Sequence, residues 1–309
     1  MDILQTEPLL LVGLSCLGLV VGFLTGMFGI GGAFITTPIM ILAFGIEPSV
    51  AIGCSMGFTL ANGLLALKRH SGAGNFEPRA MWPIAIAASL GVLGGFQFHQ
   101  ELKDAWGREF DTLVNGIFCL LLFPIGLLVW WQSNKQQGEP LLSKIKIPPF
   151  VKLGQPEIPP ISIPVLILIG GTIGCLKGLT GIGGGIILVP ILVLLVGMTP
   201  HRAVGTSLAM VVLSSVVGTI LFAIDGSIDL VVVLALLTGS LFGVVVGAKF
   251  CNVLPAVQLK RLLALLIFCF SLFLAYEVFV EWTTEPAATQ EKLQTVGFGG
   301  SRVCHFLDC

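Results

Sequence analysis

Two glycine clusters, Gly29-Ile30-Gly31-Gly32 and Gly181-Ile182-Gly183-Gly184-Gly185, are each followed at a fixed distance by a proline, Pro38 and Pro190. Backbone free of side chains can turn and present N–H groups at the start of the next helix, where unused donors and partial positive charge favour an anion. Lys177 stands four residues before the second cluster, in sequence that is otherwise almost uncharged. A buried ammonium there would add a full charge to such a site; alternatively Lys177 lies near a helix end and reaches back to the membrane boundary. Thr36, Ser55, Asn62, Thr180, Thr206 and Ser207 could donate to oxyanion oxygens without adding charge, although each is also an ordinary helix–helix hydrogen-bonding residue. The candidate anion-binding set is therefore these six polar residues with Gly29, Gly31, Gly32, Lys177, Gly181, Gly183, Gly184 and Gly185, while Pro38 and Pro190 should kink the segments that hold them. Arg202 and His201 read as topology determinants rather than ligands.

What is missing narrows the chemistry. No Asp or Glu falls deep inside an apolar run; Glu47, Asp225 and Asp229 sit in the loops between runs or at their edges. Proton pumps and cation carriers use buried carboxylates, so those classes are disfavoured, although backbone carbonyls can still bind sodium. The sequence carries no nucleophile–base pair, HExxH or phosphate-loop pattern, so no enzyme is expected. Most of the eight cysteines lie in apolar runs, where a thiol acts as a small hydrophobe. Cys304, His305 and Cys309 match no zinc spacing, so neither metal nor cofactor is expected.

The elements that must position these residues follow from composition. Of 309 residues, 55% are hydrophobic and 11% charged, against roughly 45–50% and about 25% in soluble domains. Such a chain is a polytopic helical membrane protein. Its net charge of −1 gives no reason to expect nucleic acid. The start lacks the positive segment of a cleavable signal peptide.

The chain also repeats itself. An offset of 152 residues places Gly29, Ile30, Gly31 and Gly32 on Gly181, Ile182, Gly183 and Gly184. The same offset carries Pro38 to Pro190, Gly53 to Gly205, Ser55 to Ser207, Gly91 to Gly243 and Gly95 to Gly247. Each half holds five apolar stretches, near 8–28, 31–45, 49–67, 80–98 and 110–131, then 161–179, 184–197, 201–222, 228–250 and 258–280. The second stretch of each half is too short for a straight crossing of about 20 residues, so it either spans a thinned region or is broken and re-entrant. Gly91, Gly95, Gly243 and Gly247 suit close helix packing.

Loop charges orient the halves. Lys68, Arg69 and Arg79 mark one loop as cytoplasmic, while its repeat-mate carries Asp225 and Asp229 and reads as external. Lys135, Lys144, Lys146 and Lys152, and then Lys249, Lys260 and Arg261, mark two further cytoplasmic segments. Mates on opposite faces imply an odd number of crossings per half, hence inverted repeats with both termini outside. The expected organisation is a first repeat at 1–131, a proline-rich cytoplasmic linker at 132–160, a second repeat at 161–282 and a polar, loosely ordered tail at 283–309. Trp82, Trp130, Trp131 and Trp282 fall near segment ends as interfacial anchors.

The doubled glycine-proline element, Pro200, Ala203, Gly205-Thr206-Ser207, the Gly226-to-Asp229 turn, the Gly243/Gly247 pair and Leu259-Lys260-Arg261 together resemble the TauE/SafE family, the sulfite exporter type. The resemblance covers Gly22 to Val280. It departs at Ala33, where the family's third glycine would stand, and at Cys54, opposite Thr206. It implies a permease for small sulfur-containing or organic anions such as sulfite or sulfonates, usually exporting, in a bacterial plasma membrane. Its partners would be a small anion and the lipid bilayer, with a homodimer compatible. The expected mechanism is a secondary carrier in which one half rocks on the other. The alternatives are a passive anion channel and a non-transporting membrane scaffold.

Overall fold

The computed structural model describes residues 8–106, 108–133, 142, 147–152, 160–181 and 184–297, and their side chains except at 102–115, 117–118, 277 and 280–297. In the first half, α1 is Pro8–Phe28, α2 Ala33–Leu42, α3 Pro48–Gly72, α4 Pro78–Trp106 and α5 Arg108–Ser133. A two-residue antiparallel pair follows, β1 Phe150–Val151 with β2 Ile161–Ser162. Then come α6 Ile163–Thr180, α7 Gly185–Leu194, α8 Pro200–Ile224, α9 Leu230–Val253 and α10 Ala256–Gly297. Every expected apolar stretch contains a helix.

Several boundaries differ from the hydropathy reading for local reasons. Helix α3 continues past position 67 through Lys68, Arg69 and His70, which are ordinary helix formers that hydropathy alone ends too early. Prolines in the first turn open α3, α6 and α8, where the missing N–H costs nothing. Asp229 caps α9, its carboxylate accepting from the N–H groups of Val231 at 2.8 Å and Val232 at 3.3 Å. Helix α10 extends well beyond the expected end at 280.

Seven helices among the described residues, α1, α3, α4, α6, α8, α9 and α10, are long and apolar enough to cross a membrane. Large apolar side chains such as Leu120, Leu168, Leu230 and Phe242 face outward at 70% exposure or more. A water-soluble protein would not bear that surface. Helices α2 and α7 have only ten residues each, about 15 Å at 1.5 Å per residue, or half of a ~30 Å hydrocarbon core.

Glycine seams hold the bundle together. On α1, a Cβ at Gly18, Gly22 or Gly26 would collide with the backbone of α9 at Leu236, Ser240 or Val244. From the other side, Gly239, Gly243 and Gly247 press on Ser15, Leu19 and Phe23. The partner numbers rise together, so α1 and α9 run parallel. The same seam recurs between α6 and α4, where Gly170, Gly174 and Gly178 meet Ile84, Ala88 and Val92, and Gly91 and Gly95 meet Gly171 and Cys175. Helices α3 and α8 are antiparallel: Gly53 near the start of α3 abuts the Ser227 carbonyl after α8, while Gly205 near the start of α8 abuts the Asn75 carbonyl after α3. Helices α5 and α10 meet where the Cys119 thiol donates to the Ser271 carbonyl at 3.4 Å.

The main packing partners of each half thus belong to the other half. One half rocking on the other would have to shear both inter-half glycine seams. At those seams backbone touches backbone, and no side chain lies between to give way.

Candidate functional site

After α1 ends, the chain turns through Gly29, Gly31 and Gly32 with φ of +72°, +85° and +99°, a left-handed path open to glycine. A Cβ at Gly31 would strike Val211 of α8 and Thr59 of α3, near the centres of both helices. Helix α2 therefore begins deep in the bundle. The second element behaves alike: Gly181 has φ +66° and packs on Ile52 of α3, and α7 starts at Gly185. A Cβ on Gly185 would collide with the backbone of Ile30, so the two turns are in direct contact. Pro38 and Pro190 lie inside α2 and α7, where each removes one helical hydrogen bond.

Hydroxyls bind the turns to the opposite half. Ser207 donates to the Gly29 carbonyl at 2.7 Å. Its repeat-mate Ser55 accepts from Thr37 at 2.8 Å and bonds Thr36 at 3.0 Å, while Thr37 also reaches the Gly181 carbonyl at 3.4 Å. Thr36, Ser55 and Ser207 are all fully buried.

Lys177 is 2% exposed, so its side chain does not reach out to the membrane boundary. Its Nζ donates to the Val211 carbonyl at 3.1 Å, Ser214 Oγ at 2.8 Å and Ser215 Oγ at 2.7 Å. All three ammonium protons are used and no carboxylate accepts one of them. A cavity of about 10 Å³ beside it is bounded by Lys177, Gly184, Ser214, Val211, Ile173 and Ala88 among others. That space is roughly one water molecule, so the site is occluded.

The equivalent place in the first half is neutral. Thr25, the mate of Lys177, accepts from Asn62 Nδ2 at 3.0 Å, and Asn62 Oδ1 accepts from Ser240 at 2.6 Å. Asn62 is in turn the mate of Ser214, 152 residues away.

The structure thus gathers Gly29, Gly31, Gly32, Thr36, Ser55, Ser207, Gly181, Gly184 and Gly185 where the turns meet, with Lys177 and Asn62 in the flanking clusters. Gly183 lies outside the described residues, as do Cys304, His305 and Cys309. Thr180 donates to Leu176 of its own helix at 2.8 Å. Thr206 sits at the end of the bundle, accepting from the Glu77 N–H at 3.1 Å. At the opposite end the Asp229 N–H donates to Cys54 Sγ at 3.2 Å, each partner again displaced by 152 positions. Arg202 lies 3.8 Å from Glu77, and His201 Nε2 is 3.1 Å from the Leu254 carbonyl, which suits packing at that end. Among the described residues no three His, Cys, Asp or Glu side chains converge to hold a metal.

Sequence reasoning missed Thr37, Ser214, Ser215 and Ser240. Ser214 was within reach, because the same offset that aligns the glycines pairs it with Asn62. Thr59, whose Oγ1 is buried without a partner, carried no signal in the sequence.

Residues 14–274 match the family described as sulfite exporter TauE/SafE. The Bacillus subtilis protein described as "Probable membrane transporter protein YjnA" is 29% identical over 77% of this chain and 89% of its own length. A second from that bacterium, "Probable membrane transporter protein YunE", is 28% identical over 83% and 95%. An archaeal relative from Methanocaldococcus jannaschii, also described as a probable membrane transporter, is 29% identical over 70% and 74%. No solved structure matches. An integral multi-pass bundle with a doubled glycine element and relatives described as membrane transporters leaves one assignment: the chain belongs to the sulfite exporter TauE/SafE family.

Proposed function

We propose that this protein is a secondary carrier that exports small sulfur-containing anions, such as sulfite or organosulfonates, across a bacterial plasma membrane. The observation that carries this reading is the contact of the two glycine turns beside Lys177, an ammonium held only by neutral acceptors. An anion entering there would meet one full positive charge, helix-start N–H groups and hydroxyls, in a site where hydrocarbon strengthens every electrostatic term. Export needs no coupling ion when the cell interior is negative, since each anionic charge leaving gains about 2.3 kcal/mol per 100 mV. The occluded cavity favours a carrier over an open channel.

In this reading the chain comprises two inverted five-segment repeats, 1–131 and 161–282, with a cytoplasmic linker. Antiparallel α3 and α8, parallel α1 and α9 and parallel α4 and α6 all agree with that arrangement. The moving bodies would be composite, α1 with α9 and α4 with α6, each drawing one helix from either half. A homodimer fits the same reading.

The test is flux of radiolabelled sulfite in liposomes under an imposed potential. Saturable, potential-driven and counter-exchanging movement is expected from the wild type. Gly184→Val should abolish it, because a Cβ there would collide with Ile173. Non-saturating flux without counter-exchange would identify a channel instead. No movement of sulfite or sulfonates by folded protein would overturn the assignment.

A further inference from the structure

We infer that Ser214 is the resident competitor for the Lys177 ammonium, the ligand an incoming anion must displace, and that it sets affinity by opposing binding. This rests on the carrier reading and adds a role to a residue outside the glycine elements. The ammonium has three protons and all three are taken, by Val211, Ser214 and Ser215. An anion can bond Lys177 directly only if one of these acceptors yields.

The geometry singles out Ser214. It lies on the cavity wall with Lys177 and Gly184, whereas Ser215 does not. The carbonyl of Val211 is fixed in the α8 backbone, but a hydroxyl leaves by rotation about one bond. Ser214 donates its own proton to the Val211 carbonyl at 3.0 Å, so in this state it presents only lone pairs to the ammonium and offers no donor to an anion. It acts as a neutral stand-in for the substrate. With it in place, the empty carrier holds a buried charge in hydrocarbon at three neutral contacts, and the returning hydroxyl helps to expel the anion. The first half has no such exchange: Asn62, at the matching position, is tied by its amide to Thr25 and by its carbonyl to Ser240.

Ser214 is thus a positioning residue with an unusual sign. The experiment measures the concentration dependence of radiolabelled sulfite efflux from proteoliposomes for the wild type, Lys177→Met, Ser214→Ala and Ser214→Cys. Removing the competitor should lower KM about threefold to tenfold, the range expected for one lost hydrogen bond, and should lower kcat because release slows. Cysteine keeps the side-chain connectivity, is somewhat larger and accepts weakly, so it should move both constants in the same directions; it also preserves the comparison if the alanine variant does not fold. Lys177→Met should raise KM. If it does so while both Ser214 variants leave KM unchanged or higher, the competitor role is overturned and the carrier reading stands. If Lys177→Met leaves KM unchanged, both fall together.

Discussion

The surroundings of Lys177 and of Thr25 are built on the same helical positions and differ in kind. Around Lys177 an ammonium is held by a carbonyl and two hydroxyls, beside a space of about one water. Around Thr25 an amide bridges two hydroxyls and closes the network. Positions related by the offset of 152 residues thus carry a charged cluster in one half and a neutral one in the other. The closures at the two ends of the bundle remain alike, with Glu77 on Thr206 and Asp229 on Cys54. Asymmetry is concentrated at the middle.

That contrast can be broken most severely at Lys177. Replacing it by Met should raise the KM for sulfite tenfold or more, since hydrogen bonds to a charged group contribute about 1.5–3 kcal/mol. Sulfite efflux titrations would read this directly, and an unchanged KM would erase the distinction between the halves. Next is Gly185, whose mate is the buried residue Ala33. Gly185→Ala would drive a methyl into the backbone of Ile30 and should cost about 1–3 kcal/mol as overpacking. Ala33→Gly should cost about 1 kcal/mol or less. Thermal unfolding in detergent compares the two, and equal losses would deny that the close approach of Gly185 to Ile30 sets these positions apart.

Asn62→Ala should act mainly on stability, by about 1–3 kcal/mol, because Thr25 and Ser240 lose a buried partner. Its effect on KM should stay within about threefold, and a tenfold rise would mean that the neutral cluster also binds the anion. The smallest effect is expected at Arg202. Its contact with Glu77 is 3.8 Å and the side chain is 36% exposed, so Arg202→Gln should cost under about 1 kcal/mol and less still at high salt.

Much of this was legible because repetition is visible without any structure. The offset of 152 predicted paired glycine turns, and both turns occur where the short helices begin. Hydropathy found every α-helix among the described residues, since a chain in lipid must satisfy its backbone internally. It could not tell how deep α2 and α7 start, because depth depends on which residues of α3 and α8 meet Gly31 and Gly181. Sequence leaves both a buried and a snorkelling Lys177 open, because it gives no rotamer. Thr206 and Thr180 joined the candidate set on type alone; their partners turned out to be Glu77 and their own helix. The partner of α1 was not readable, because a run of glycines names a close approach but not what approaches.

The parallel seam between α1 and α9 has a consequence for biosynthesis. Ser15 donates to the Ala235 carbonyl across 220 residues of chain. At about 5–20 residues per second, translation needs on the order of ten to forty seconds to deliver α9 after α1 has entered the membrane. Over that interval the bare glycine stripe of α1 faces lipid with nothing to match it, and α4 waits similarly, though more briefly, for α6. The nascent chain therefore carries an open surface suited to any helix with small residues, and correct assembly depends on keeping competitors away until the ninth helix arrives.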